Sequence, residues 1–305
     1  MDGEKTSVEI MMNFQQYSDR DYESVCDFLI ALNSDDHSHI NWNWARFEWM
    51  AEHPMFDKSA ASSIGLWRDG DRIVGAAIYD MYFGEAFCGA LTAYRSLISA
   101  IWEYAFRELK DDNGLAVAVC DDCKSEIEAA KSLGFVPTEQ TETMMRIALD
   151  RSFDAELPQG MRFVSLDPAE EPYDFQWLLW QGFDHGTDKA EFEREDPIVP
   201  QIRRHLDPAL SLAVETPQGE KVAYGCLWYH EKTDYAYIEP VCVIPSYRGK
   251  GLAKALIFEA LNRAKARGAK NAYVLSDMMF YEKLGFFPEK HFTFYQKHAE
   301  ADRRN

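Results

Sequence analysis

Apolar and polar positions along the chain form two successive sets of strands and amphipathic helices. In the first half, residues 64–67 and 73–79 read as strands flanking Arg68-Asp69-Gly70-Asp71, whose Asp-Gly pair is a hairpin signal. A helical run over 97–109 stops at Asp112-Asn113-Gly114 and leads into the apolar strand 115–119. In the second half, strands at 210–215 and 222–229 flank the turn composition of 216–220. There a helix over 252–266 stops at Gly268 and precedes a strand at 272–275. Aromatic-rich helices are predicted ahead of each hairpin, at 21–31 and 42–51 in one half and at 173–182 and 199–205 in the other.

The repetition extends to short motifs. Lys131-Ser132-Leu133-Gly134-Phe135 echoes Glu282-Lys283-Leu284-Gly285-Phe286, about half the chain away, and Tyr94-Arg95 parallels Tyr247-Arg248 in the same order. The expectation is an α/β protein of two domains, each a mixed sheet with helices. The first covers 1–150 and the second 161–305, with a polar linker at 151–160. A length of 305 residues with 47% hydrophobic positions is enough for two cores.

Charge narrows the classes of partner. Thirty-two basic against 51 acidic residues give a net charge of −19, which repels phosphate backbones and excludes wholesale nucleic-acid binding. The same field mildly favours a cationic small molecule. No apolar run approaches a membrane span, and Met1-Asp2-Gly3-Glu4-Lys5 lacks the order of a secretion signal, so a cytoplasmic location is expected. The six cysteines are expected to be reduced thiols. Cys120-Asp121-Asp122-Cys123 lacks the further ligands of a structural zinc site and reads as a loop, and no metal site is expected. Ser34-Asp35-Asp36-His37-Ser38-His39 reads as a hydrated loop between helices.

Chemistry concentrates at Val241-Cys242-Val243-Ile244-Pro245-Ser246-Tyr247-Arg248-Gly249-Lys250-Gly251-Leu252-Ala253-Lys254. A strand runs into a glycine-bearing turn that opens a helix, where unpaired N–H groups and the positive end of the helix dipole converge. Gly249 and Gly251 leave the backbone bare, and Lys250 and Lys254 add charge, which suits a pyrophosphate. The segment resembles the acetyl-CoA signature of the GCN5-related N-acetyltransferase (GNAT) superfamily, with Arg248, Gly251 and Ala253 in its three fixed places. Tyr281-Glu282-Lys283-Leu284-Gly285-Phe286 is similar to that family's tyrosine-bearing element. The likeness covers about 160–298 and extends more weakly, through the repeat, to the first half.

The resemblance implies two tandem GNAT-like domains and a sheet splayed where the pantetheine arm enters. It implies that Val241, Cys242 and Val243 offer backbone groups to that arm, and that Arg248, Gly249, Lys250, Gly251, Leu252, Ala253 and Lys254 hold the pyrophosphate. The implied reaction is direct transfer of an acetyl group from acetyl-CoA, the cosubstrate, to a primary amine of a small molecule. An ammonium cannot attack until it loses a proton. Glu239 shares a strand face with Val241 and Val243 and is the candidate base, with Tyr237 or a water path as the alternative. The family's acid falls on Tyr281. In the first half Ser96, Leu97 and Ile98 replace the bare glycine turn and Ala130 replaces the tyrosine, so that copy is expected to be degenerate. Trp180, Asp184 and His185, after a helix that borders the acceptor in such folds, are candidate substrate contacts. The alternative is a noncatalytic acyl-CoA-binding sensor or interaction module on the same scaffold.

Overall fold

The computed structural model describes residues 12–196 and 198–299. Met1–Lys5, where no secretion signal was read, lie outside them. In chain order the regular elements are β1 (Met12–Gln16), α1 (Tyr22–Leu32), α2 (Trp44–Ala51), β2 (Gly65–Asp69), β3 (Arg72–Asp80), β4 (Tyr82–Ala90), α3 (Ile98–Glu108), β5 (Gly114–Cys120), α4 (Lys124–Ser132) and β6 (Val136–Ala148). There follow β7 (Arg162–Ser165), α5 (Pro172–Gly182), α6 (Lys189–Glu195), β8 (Ser211–Glu215), β9 (Lys221–Tyr229), β10 (Tyr235–Val243), α7 (Leu252–Ala266), β11 (Asn271–Leu275), α8 (Met279–Leu284) and β12 (Phe287–His298). The second series repeats the first element for element, as the motif echo predicts, and each is a mixed sheet flanked by helices.

One expected helix is displaced. Residues 199–205 form no helix, and α6 lies earlier because the Asp188 carboxylate accepts from the N–H groups of Ala190 at 2.8 Å and Glu191 at 3.4 Å, starting a helix at Lys189. Downstream, Val199 N–H donates to the Gln176 side chain and Gln201 N–H to the Pro168 carbonyl, so those donors are taken by partners outside any helical ladder.

Two compact units result. The first comprises the described residues up to Trp44, Asp57–Thr141 and those from Phe292; the second comprises Ala45–Phe56 and Glu142–His291. They do not follow the 1–150 and 161–305 halves residue for residue, because strand pairing draws pieces of chain across that division. Within the first unit, β5 pairs antiparallel with the C-terminal part of β12, from Phe292↔Cys120 to His298↔Gly114. Within the second, β11 pairs antiparallel with the end of β6, from Asn271↔Ala148 to Leu275↔Met144. Residues 150–158 form no regular element, yet Phe153 is buried and its backbone exchanges two hydrogen bonds with the Asn262 side chain, at 2.9 and 2.8 Å.

In the second unit the core lies between the sheet and α7. Buried Leu252, Ala255, Leu256, Ala260, Leu261 and Ala264 recur at the three- and four-residue spacing of one helix face, which packs on β8, β9 and β10. Gly225 on β9 accommodates Leu256, whose side-chain atoms lie 3.8 Å from where a Cβ would stand.

Candidate functional site

The site is built where β10 leaves its neighbour. On one side β10 pairs antiparallel with β9 along its length, with a register shift between Ile238 and Val241. On the other it pairs parallel with β11 only at Tyr235↔Asn271, Ala236↔Ala272 and Tyr237↔Tyr273, and beyond those three pairs the two strands part among the described residues. The β11-facing edge of β10 past Tyr237, around Val241, Cys242 and Val243, is therefore not paired by β11 at the mouth of a wedge, and of its groups the Val243 carbonyl accepts from Arg248.

A cleft of about 460 Å³ occupies that mouth. It is lined by Val241, Cys242, Val243, Arg248, Gly249, Gly251, Leu252, Ala253, Lys254 and Tyr281 among others. The cleft thus gathers Tyr281 and, Lys250 apart, the residues read from the sequence as holding the cofactor. Glu239, Tyr237, Trp180, Asp184 and His185 are not part of the lining. The Lys250 ammonium instead lies over the Tyr247 ring at 4.2 Å.

The glycines meet the physical test for an anion cradle. Gly249 (φ 75°) and Gly251 (φ 81°, the cap of α7) are left-handed, and a Cβ on either would meet no atom within 4 Å. The space beside them is open, and the first N–H groups of α7 have no carbonyl one turn earlier to receive them. The residues fit a diphosphate. Arg248 is engaged elsewhere, since its Nε donates to the Val243 carbonyl at 3.0 Å, and one Nη donates to the Gly182 carbonyl at 2.8 Å and to Asp184 at 3.0 Å. Through Nε and one Nη its guanidinium braces the turn against β10 and the end of α5, and Arg248 also lines the cleft.

Cys242 packs tightly under α5. A Cβ on Gly182 would stand 2.5 Å from its sulfur, so only glycine lets the helix come this close. Burial pushes the Cys242 thiol up to about 12, which keeps it protonated and a poor nucleophile.

Tyr281 on α8 is buried, with Phe286 edge-on at 5.5 Å. Burial, with the Glu239 charge adding to it, pushes its phenol up to about 12, so it carries its proton across the physiological range. Glu239 sits at the register shift of β10, where Trp228 donates its indole N–H to the Glu239 carbonyl at 2.7 Å. Tyr237, fully buried, is raised well above the usual phenol range by burial first, then by the charge of Glu239 and by its hydrogen bond to that carboxylate. Glu239, Tyr237 and Tyr281 therefore share one electrostatic neighbourhood, although Glu239 is not among the residues that line the cleft.

Two charged residues here were not singled out from the sequence. Arg46 on α2 and Glu142 on β6 lie 3.7 Å apart, and both act on the Tyr237 phenol, Arg46 lowering its pKa and Glu142 raising it. Both belong to the second unit although they precede residue 150. No local pattern marks them.

The first unit lacks the cradle. There a 3-10 turn at Thr92–Leu97 runs directly into α3, and the residue capping that helix, Leu97, is right-handed at φ −79°. Ala130 is fully buried where the repeat places Tyr281. Of the loop read as hydrated, Ser34, Asp35 and Asp36 are exposed, whereas Ser38 and His39 are buried, with His39 Nε2 3.0 Å from Glu126. Cys120 is buried and Cys123 partly so. No helix among the described residues is long and apolar enough to cross a membrane.

The comparisons with known proteins agree with this geometry. Residues 171–286 match the family described as "Acetyltransferase (GNAT) family", which supports assignment to the GNAT superfamily of acetyltransferases for the part of the chain that carries the cleft. A curated relative, glucosamine 6-phosphate N-acetyltransferase of Trypanosoma brucei brucei, is 45% identical over 96 residues, covering 29% of this chain and 65% of the relative's length. Among solved structures, a tandem GNAT protein from the clavulanic acid biosynthesis pathway is similar at a TM-score of 0.60 and 17% identity, over 95% of this chain and all (100%) of that one. A GCN5-related N-acetyltransferase from Sphaerobacter thermophilus is similar at a TM-score of 0.54 and 16% identity, over 94% and 95% of the two chains. At these identities the structures establish the fold.

Proposed function

We propose that the protein is an N-acetyltransferase that moves an acetyl group from acetyl-CoA to a primary amine of a small molecule, with the chemistry in the second domain and a degenerate GNAT copy in the first. The observation that carries this reading is the wedge between β10 and β11 with a bare helix N-terminus at its mouth. Gly249, Gly251 and the N–H groups of Leu252, Ala253 and Lys254 would hold the pyrophosphate, with Lys250 and Lys254 contributing charge. The open edge at Val241, Cys242 and Val243 would pair with the pantetheine arm. When bound, acetyl-CoA supplies an activated thioester.

The chain's own residues then have two protons to manage. The attacking amine must lose one, and Glu239, which does not itself line the cleft, would take it through water. Tyr281 lines the cleft with its proton retained, so it would donate to the departing thiolate. The inert state of Cys242 favours direct attack over an acyl-cysteine intermediate.

The test is calorimetric titration with coenzyme A, followed by thiol release from acetyl-CoA against a panel of amines. Saturable binding with amine-dependent release is expected. Tight binding with no release for any amine would favour the sensor reading, to which the place of Glu239 outside the cleft lining lends some support. No binding at all would end both.

A further inference from the structure

The first unit has a wedge of its own. There β4 pairs parallel with β5 only at Glu85↔Ala116, and beyond that pair the two strands part among the described residues, as β10 and β11 do in the second unit. At its edges stand Cys88 on β4, Cys120 at the end of β5, Cys123 at the cap of α4 and Glu126 in the first turn of that helix. His39 reaches the same place from the loop after α1, with Nε2 3.0 Å from Glu126 and its ring edge-on to Phe87 at 5.8 Å.

Cys120 and Cys123 are set to react with each other. The Cys123 N–H donates to the Cys120 carbonyl at 2.9 Å, closing a turn over Asp121 and Asp122. Such a turn brings its end Cα atoms within about 7 Å, close to the roughly 4.4–6.8 Å that a disulfide spans. Their side chains already hydrogen-bond, so bridging asks for little backbone movement. Cys120 is buried, whereas Cys123 is only partly so and gives the pair an exposed sulfur. His39 is held at both ring nitrogens, Nε2 by Glu126 and Nδ1 by Ser38 at 3.1 Å, so it offers no metal ligand, and the two sulfurs of the turn fall short of the four ligands of structural zinc. The hydrogen bond with Cys120 and then burial raise the Cys123 thiol, against the pull of the His39 charge. The pair therefore gives up its protons in two steps, and the S–H that remains steadies the first thiolate. Asp121 and Asp122 are exposed in the turn and repel an anionic oxidant.

We propose that Cys120 and Cys123 are a reversible dithiol site, oxidised by small uncharged disulfides to a bridge that staples the end of β5 to the start of α4. The more exposed Cys123 sulfur attacks as thiolate. A bond forms to one sulfur of the oxidant, the oxidant's own S–S bond breaks, and the departing thiolate takes up a proton. Cys120, its proton given up in turn, attacks the Cys123 sulfur of the mixed disulfide, and a second small thiol leaves. Two protein thiols are oxidised and one small disulfide is reduced to two thiols. The site lies wholly within the first unit and does not depend on the transferase reading.

The experiment is incubation of the folded, full-length protein with bis(2-hydroxyethyl) disulfide, read by free-thiol count, intact mass and peptide mapping. Two thiols are lost with no adduct retained, the bridge maps to Cys120 and Cys123, and dithiothreitol restores both. At low salt, oxidised glutathione, an anion, reacts at least tenfold more slowly. Cys123→Ser forms no bridge and has the same melting temperature as the reduced parent to within a few degrees. A mixed disulfide that persists on Cys123, a bridge that maps to Cys88, or a folded protein that keeps both thiols overturns the inference. Equal rates with the two oxidants overturn the selection by charge. Coenzyme A takes no part in these readouts, so failure here leaves the transferase reading untouched.

Discussion

At Tyr281 a single buried hydroxyl carries a kinetic consequence. Because burial and the Glu239 charge raise its pKa to about 12, the phenol stays protonated at every pH where a thioester survives for long. Tyr281→Phe is expected to lower kcat on the order of 100-fold, the typical worth of a positioned acid. The profile should go on rising toward pH 10 as in the parent, because that rise reports the acceptor amine losing its proton; a fall below pH 10 in the parent that disappears in Tyr281→Phe would mean that the phenol ionises in that range. Gly251 offers a second test. Gly251→Ala places a side chain on left-handed backbone at about 1 kcal/mol, and its Cβ enters the space assigned to phosphate. Coenzyme A affinity should fall at least tenfold while the melting temperature drops only a few degrees; equal affinity would vacate the cradle. The place of both residues at the cleft was legible in the sequence because a local motif fixes the turn and the tyrosine. Arg46 and Glu142 were illegible for the opposite reason, since only the folded chain brings positions so far apart in sequence to the Tyr237 phenol.

Among the elements, the strands and the long helix α7 were readable from periodicity, and α7 spans the predicted 252–266 to the residue. The helix placed at 199–205 was misread because Ile202 and Leu206, four residues apart between Pro200 and Pro208, carry helical spacing whether or not the donors around them find helical partners. Where α5 meets β10, Gly182→Ala forces a Cβ to 2.5 Å from the Cys242 sulfur. Overpacking of this kind costs roughly 1–3 kcal/mol, and denaturant melts should show it; a neutral substitution would mean the helix shifts freely. In the first unit the buried His39–Glu126 pair ties the loop after α1 to α4. Burial lowers the His39 pKa, but the charge and hydrogen bond of Glu126 outweigh it, and the net direction is up from 6.5. A raised histidine stabilises fully below its unfolded value and loses that contribution as pH climbs through the folded one. Thermal melts should therefore show the wild type losing more stability between pH 6 and pH 9 than Glu126→Gln does; parallel curves would mean that His39 is neutral throughout.

For the whole molecule, a net charge of −19 implies a long-range field that draws cations. If the acceptor is cationic, its KM should rise several-fold between about 0.02 and 0.5 M salt, as the Debye length shrinks from tens of ångströms to a few, while kcat holds; a salt-independent KM would indicate a neutral acceptor. The broad plan of two successive α/β series was apparent from the duplicated motifs, because duplication leaves its trace in order and spacing. The interleaving of the compact units was not, since the register of β12 on β5 and of β6 on β11 depends on pairing between remote segments. Fragments 1–150 and 161–305 made separately each lack strand partners found in the intact chain. They should be insoluble or unfolded alone and recover structure when co-expressed; an independently folded 161–305 with normal coenzyme A affinity would show that β11 tolerates the loss of its neighbour.

The pairing of β5 with Phe292–His298 bears on biogenesis. The early sheet awaits this neighbour until the whole second series up to Phe292 has been made, so on the ribosome β5 must persist through that synthesis with a bare edge. A nascent chain of this design depends on chaperone cover or rapid elongation more than one whose halves close in turn.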